Sequence, residues 1–453
     1  MKKNWTILLA GLALWGVALT GYSSEKPVLL RNANIITVSG ENILGGDILI
    51  QGTKIVRVGK NLPAGPEAEA IDLAGQWIMP GIIDSHSHIA VEGEVNESGE
   101  LISSEVDVRD VINPEDINIY YALTGGVTTI HTMHGSGNPI GGKGIVLKMR
   151  WGKSAEEMIF QGAPLTSKWA LGENPKQTNY QGPGRARYPK TRMGVEDSIR
   201  NEFELARDYM RQWKDYEKRL KASQDSKGKI PAPLPPKKDY RLEGVADILN
   251  GKLWVRCHGY QSEEMLSIMR LCREYGVKLV CFEHGLEGYR ITNELVKYGV
   301  GISTFADAWA YKWEAYNTMP HAAALAAKRG VVVAINSDDA ERMRHLFNDA
   351  AKTVRFGGLS ELEAIKTLTL NPAKIMGIEK WVGTIEAGKD ADLAVFNKHP
   401  LDPYTVCTMT MVDGKVCFDR AKYLEDRKKA EEEKKKKEAE AKAPKEKKNG
   451  AEV

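Results

Sequence analysis

Residues 81–90 read GIIDSHSHIA, an apolar run that ends in an aspartate and two histidines. If Ile82 to His88 forms a strand, side chains alternate between its faces, so His86 and His88 point one way and Ser85 and Ser87 the other. Two imidazoles on one face, two residues apart, suit a single metal ion. Asp84 falls on the same face one layer deeper, where it supports such a site without binding the ion. An isolated HxH also describes two hydrogen-bonded histidines at a strand end. Its meaning therefore rests on the rest of the chain.

Seven further apolar runs have the texture of strands: VTTIHTMH, GIVLKMR, SKWALG, KLWVRCH, VKLVCFEH, VGISTF and VVVAINSDD. They alternate with helical patterns, so with GIIDSHSH they make eight strands and predict the α/β class, as a parallel (β/α)8 TIM barrel. In that architecture reactive groups gather at the C-terminal ends of the strands. His258 ends KLWVRCH, His284 ends VKLVCFEH and Asp338 ends VVVAINSD. Four strands ending in His, His, His and Asp at barrel spacing turn the weak motif into a metal site. Asp338 alone would read as a helix cap.

Short alternating runs with turn signals fill residues 27 to 80 and return after residue 376, in TIEAGKDADLAVFN and TVCTMTMVDGKVCFD. They predict a small β-sandwich domain built from both ends of the chain, as 25–80 and 376–420, around a barrel at 81–375. Residues 196 to 222 carry Ile199, Phe203, Ala206, Met210, Trp213 and Leu220 at helical spacing, which predicts an amphipathic helix on the barrel. KGKIPAPLPPKK is then a proline-rich surface connection. Residues 421–453 are charged almost throughout with no apolar stripe, and are expected to be a solvated, disordered tail, helical at most in part.

Residues 1–24 have the layout of a signal peptide: Lys2 and Lys3, an apolar stretch from Trp5 to Leu19, then small residues near Ser23. The expectation is export to the periplasm or medium, with no stable membrane insertion after cleavage. The 453 residues include 42% hydrophobic and 27% charged positions, with a formal charge of +3, which is ordinary globular composition. The slight basic excess lacks aromatic interleaving, so nucleic acid is not an expected partner. The partner expected is a small-molecule substrate, and homo-oligomerisation stays open. The five cysteines, Cys257, Cys272, Cys281, Cys407 and Cys417, include no CxxC pair and read as structural.

The stretches MPGIIDSHSH, GGVTTIH, KWALGENPK, VRCH, FEHGLEGY, INSDDAERMRHL, LTLNPAKIMGIEKWVGTIEAGKDADLAVFNKHPL and MVDGKV resemble the amidohydrolase superfamily. The resemblance is nearest to the imidazolonepropionase-like and Xaa-Pro dipeptidase branch, and it spans residues 28 to 420. It implies that His86 and His88 bind a more buried metal and His258 and His284 a second, with Asp338 bridging metal and attacking water. The implied cofactor is two zinc ions per chain. Members of that superfamily often join the two metals with a carboxylated lysine from the fourth strand. Here TSKWALGEN offers Lys168, which aligns with that lysine, and Glu173. Pro164 makes a poor start for a buried strand, and a strand from Ser167 to Gly172 would deliver Glu173 to the rim and leave Lys168 roughly 15 Å behind. Glu173 is the expected bridge on that ground.

This chemistry predicts hydrolysis of a small amide, in a dipeptide or an N-acyl amino acid, with Asp338 as general base and then general acid. Lactone or phosphoester hydrolysis on the same metals is the alternative. Deamination is disfavoured because deaminases of this superfamily place a glutamate three residues after the fifth-strand histidine, where this chain has Gln261. A non-catalytic scaffold is disfavoured by the retained ligands. His134, Arg192 and Tyr260 are candidate substrate contacts. His131 lies beside His134 at a strand end, whereas His321, His345 and His399 are assigned no chemistry.

Overall fold

The computed structural model describes residues 26–176 and 187–442. The expected signal segment lies outside the described residues. Among the described residues no helix is long and apolar enough to cross a membrane.

The chain begins with β1 (Val28–Ile35), β2 (Ile43–Gln51), β3 (Lys54–Gly59), β4 (Glu69–Asp72) and β5 (Trp77–Pro80). It then lays down β6 (Ile82–Ser87), β7 (Val127–Thr132), β8 (Ile140–Lys148), β9 (Thr166–Ala170), β10 (Trp254–Gly259), β11 (Leu279–His284), β12 (Gly301–Thr304) and β13 (Val333–Ile335). It closes with β14 (Leu393–Phe396), β15 (Cys407–Val412) and β16 (Lys415–Asp419). The first five and last three strands form one sheet in the order β16-β15-β14-β5-β1-β2-β3, with β4 also on β1. The small domain expected as a sandwich from both chain ends is thus one continuous eight-stranded sheet around its own core, which includes Leu30, Ile35, Ile48, Ile78, Leu393 and Met411.

All eight runs read as barrel strands are strands, hydrogen-bonded in chain order from β6 to β13. One differs from the expected parallel arrangement: β8 runs antiparallel to both β7 and β9. The cause is local. Residues 133–139 are too short for a helical crossover, which takes a dozen or more residues, so the chain returns as a hairpin. This brings Gly141 and Gly142 against His134, where an added Cβ on Gly141 would lie 2.9 Å from its Nδ1.

Between β13 and β6 no ladder forms. Instead Ile83 N–H donates to Leu368 O at 2.8 Å and Ile335 N–H to Thr367 O at 3.0 Å at the lower end. At the upper end Asp84 accepts from Ser337 N–H at 3.2 Å and from the Ser337 hydroxyl. The small sheet lies against the opposite end of the barrel from the histidines, where Gly126 meets Ala394 and Phe396 and Gly81 N–H donates to Asp392 O.

Helix Arg192–Asp225 is longer than the spacing predicted. Val195, Ile199, Phe203, Ala206 and Tyr209 are buried, while the stretch from Arg211 to Leu220 is half-buried or exposed, so only its first half packs on the barrel. The charged tail is helical over its described length, Arg420–Lys442, since Glu, Lys, Ala and Arg favour helix and Glu425–Lys429 and Arg427–Glu431 pair one turn apart. Its first turns are tied down by Tyr423 against Tyr120 and Phe418.

Candidate metal centre

The strand ends bring His86, His88, His284 and Asp338 to one place. His86 Nε2 and His88 Nε2 are 3.3 Å apart, and Asp338 Oδ1 lies 3.3 and 3.2 Å from them. His284 Nε2 is 3.9 Å from Asp338 Oδ2, and the His258 ring meets that of His284 edge-on at 4.7 Å.

Two of these residues have a left-handed backbone, and at His284 it overrides strand alternation. On β11, Cys281 belongs to an interior cluster with Ala334 and Phe282 to the helix-facing core, so His284 should face outward with Phe282. A left-handed backbone at His284, φ 68°, ends the strand and turns the ring back beside Glu283. Asp338 has φ 49°. Such conformations cost roughly 1–2 kcal/mol in residues with a Cβ and persist where the surroundings enforce them.

Ring orientation decides what the histidines present. His86 Nδ1 is 2.9 Å from Glu283 Oε2 and His88 Nδ1 is 2.9 Å from Met133 O. Both partners are acceptors, so both Nδ1 atoms carry the proton and both Nε2 lone pairs face Asp338. Two lone pairs and a carboxylate oxygen this close repel one another unless a cation lies between them. His258 is buried with no hydrogen-bond partner for either ring nitrogen among the described residues, and His284 Nδ1 is likewise unpaired. Buried polar atoms are rarely left so. Burial holds His86, His258 and His284 below the ordinary histidine range, keeping the neutral form that binds metals. The donor set fits a divalent ion.

Around this group lies a charged support absent from the sequence reading. Arg256 on β10 donates to Glu283 Oε1 at 2.6 Å and to Ser85 O at 2.8 Å. Glu283, held below its usual range chiefly by Arg256 and His86 against burial, fixes the His86 ring. The only sequence signal was the charge itself: Arg256 and Glu283 lie inside otherwise apolar runs. Asp84 has the supporting place expected of it, accepting from His86 N–H at 3.2 Å and from Ser337.

The fourth strand overturns the choice of Glu173. β9 runs from Thr166 to Ala170 with Trp169 packed outward against Phe203, so Lys168 faces the interior. Its Nζ lies 3.3 Å from His86 Nε2 and 3.4 Å from His134 O. Backbone rise alone does not place the charged group: the lysine side chain adds its own reach from the strand. Glu173 instead begins a short helix at the rim, its N–H 3.1 and 3.2 Å from the Glu314 carboxylate. Gly172 is required there, since a Cβ would meet Glu314 Oε2 at 2.3 Å and its φ is 74°.

His134 is not turned to a substrate either. Its Nδ1 donates to Gly135 O and its Nε2 accepts from Glu97 N–H, both at 2.9 Å, so the ring pins the 95–100 loop. Arg192 is tied to Glu264 at 2.5 Å and Glu314 at 3.1 Å. Tyr260 does reach the centre, its ring stacked on His284 at 5.2 Å and its hydroxyl bonded to that of Tyr311. His131 binds the Thr166 hydroxyl at 2.9 Å. His345 and His399 lie elsewhere, against Glu341 and on Trp77, and His321 precedes a surface helix.

The amidohydrolase family model matches residues 257–417. A crystal structure of an amidohydrolase from Thermotoga maritima MSB8 is 33% identical, covers 87% of this chain and 100% of its own, and superposes with a TM-score of 0.76. Amidohydrolase tasK from Hapsidospora irregularis is 28% identical, with 87% of this chain and 43% of that protein covered. The chain thus spans less than half the length of that curated relative. A Xaa-Pro dipeptidase with bound methionine in its active site shares the fold at 18% identity, with a TM-score of 0.54 over 87% of this chain and 100% of its own.

Proposed function

Since the chain belongs to the amidohydrolase family, we propose that it is a zinc-dependent hydrolase of a small carbon–nitrogen amide bond, in a dipeptide or an N-acyl amino acid. The observation that carries this reading is the convergence of the His86 and His88 lone pairs on the Asp338 carboxylate, whose side chain keeps 30% exposure toward the barrel mouth. His86, His88 and Asp338 would hold one ion, and His258 and His284 a second. When bound, such ions lower the pKa of water toward ~7 and polarise a substrate carbonyl.

The chain's own residues do the rest. Asp338 takes the proton of the attacking water and passes it to the leaving nitrogen, acting first as base and then as acid. Tyr260, fixed by stacking on His284, orients the scissile carbonyl. Lys168 completes the ligand set. Burial pushes its ammonium down, which favours the neutral amine that carbon dioxide carboxylates with loss of a proton. We further propose export of the mature chain, checked by fractionating cells that express the full-length protein.

The reaction is tested by metal analysis and a panel of dipeptides, N-acyl amino acids, lactones and phosphotriesters. About two zinc ions per chain and turnover of the amides are expected, with kcat falling ~10²–10⁴-fold in Asp338→Asn. A protein that takes up no metal sinks the reading. Turnover confined to lactones or phosphotriesters transfers the site to the alternative.

A further inference from the structure

The connection after β12 sends one cation back over the site. Lys312 Nζ lies 4.2 Å above the centroid of the Tyr260 ring, and that ring in turn touches His284 at 5.2 Å and His258 at 4.6 Å. The ammonium is therefore one ring removed from two metal-facing histidines, with its side chain only 17% exposed. Its place is fixed from behind. Asn174 accepts from Nζ at 3.1 Å and is itself oriented by donating to Ser136 Oγ at 2.6 Å. Glu314, wholly buried, stands farther off at 3.5 Å. Its carboxylate is already engaged by Arg192 and by the Glu173 N–H.

The charges divide unevenly. Arg192 lies between two carboxylates, Glu264 and Glu314, whereas Lys312 has a neutral amide as its near partner and shares a carboxylate at longer range. An ammonium has three protons to donate; Asn174 at 3.1 Å and Glu314 at 3.5 Å face two of them, which leaves one for an anionic group of a ligand. A prearranged cation beside a reaction centre is what fixes a charged substrate in register.

We propose that Lys312 is the specificity-determining anchor for a carboxylate on the substrate, set so that the amide of the same molecule reaches the Asp338 side of Tyr260. This rests on the amide-hydrolase reading above. It gives a substrate contact to a residue that carries no motif.

The test is calorimetric binding of N-acetyl-L-phenylalanine and of its uncharged carboxamide to the zinc-loaded full chain. The wild type is expected to bind the acid about 30-fold more tightly than the amide, the scale of a charge-assisted pair. In Lys312→Met that preference should fall below about 3-fold with bound zinc unchanged. Lys312→Gln, which keeps the Asn174 contact, should behave like Lys312→Met. A preference that survives in both variants belongs to the metal and overturns the proposal. So does a wild type with no preference, or one that binds neither ligand. Hydrolysis is scored separately: a Lys312-dependent preference without turnover sinks the reaction and keeps the anchor, and turnover without preference does the reverse.

Discussion

Single residues carry most of the chemistry, and two of them separate cleanly by experiment. Lys168 lies 3.3 Å from His86, while the backbone N–H of Glu173 is held by Glu314 at the rim. Lys168→Ala is therefore expected to lower bound zinc from about two ions to one or fewer, and Glu173→Ala to retain the full complement. Atomic absorption on the two variants reads this directly, and metal loss in Glu173→Ala alone would restore the strand-end argument. Glu283 makes a second prediction. It accepts from Arg256 and orients His86, so Glu283→Gln should weaken zinc binding ~10–100-fold, the usual effect of losing a ligand's supporting partner. It should also lower thermal stability, because Arg256 is left charged and fully buried.

At the scale of elements, the loop after β7 depends on an uncharged imidazole. His134 joins Gly135 O and Glu97 N–H, and its second bond needs a lone pair on Nε2. Burial lowers its pKa from 6.5 to about 4. A depressed value means the unfolded chain takes up the proton first, so this stabilisation is complete above pH 6.5 and is lost as pH falls toward 4. The loss amounts to about 3 kcal/mol. Amide exchange at Glu97 should therefore accelerate as pH is lowered through that window, relative to the intrinsic rate, and His134→Gln should flatten the dependence. Unchanged protection at pH 4 would show that the loop is held by other contacts. The loop also explains why the direction of β8 escaped a sequence reading: an apolar run has the same composition in either direction, and only the length of the connection before it sets the sense.

For the whole molecule, the small sheet and the barrel are clasped by one buried charge. Lys148, at the end of β8, reaches Asp390 at 2.7 Å, Asp392 at 3.2 Å and Asp413 at 2.5 Å. Burial alone would lower its ammonium, but Asp392, Asp413 and Asp390 hold it above the ordinary lysine range. With a raised value its contribution is present throughout the neutral range and is lost only in strong alkali. Removing the cation strands carboxylates away from water, so Lys148→Met is expected to destabilise the fold by about 3–5 kcal/mol. A denaturation midpoint within error of wild type would show that apolar packing alone joins the two parts.

How much of this was legible beforehand follows from what is local. Apolar runs, their alternation and the polar residue that ends each one are properties of a few consecutive positions, so the sequence by itself determined the eight barrel strands and the strand-end places of His86, His88, His258, His284 and Asp338. Contacts made across the barrel are different in kind. Whether Lys168 or Glu173 meets His86 depends on strand stagger and side-chain reach. The pairing of Arg256 with Glu283 depends on neighbouring strands, and the arrival of Lys312 over Tyr260 depends on the path of a loop. Those distances exist only once the sheet has closed, and the tertiary structure alone decided them.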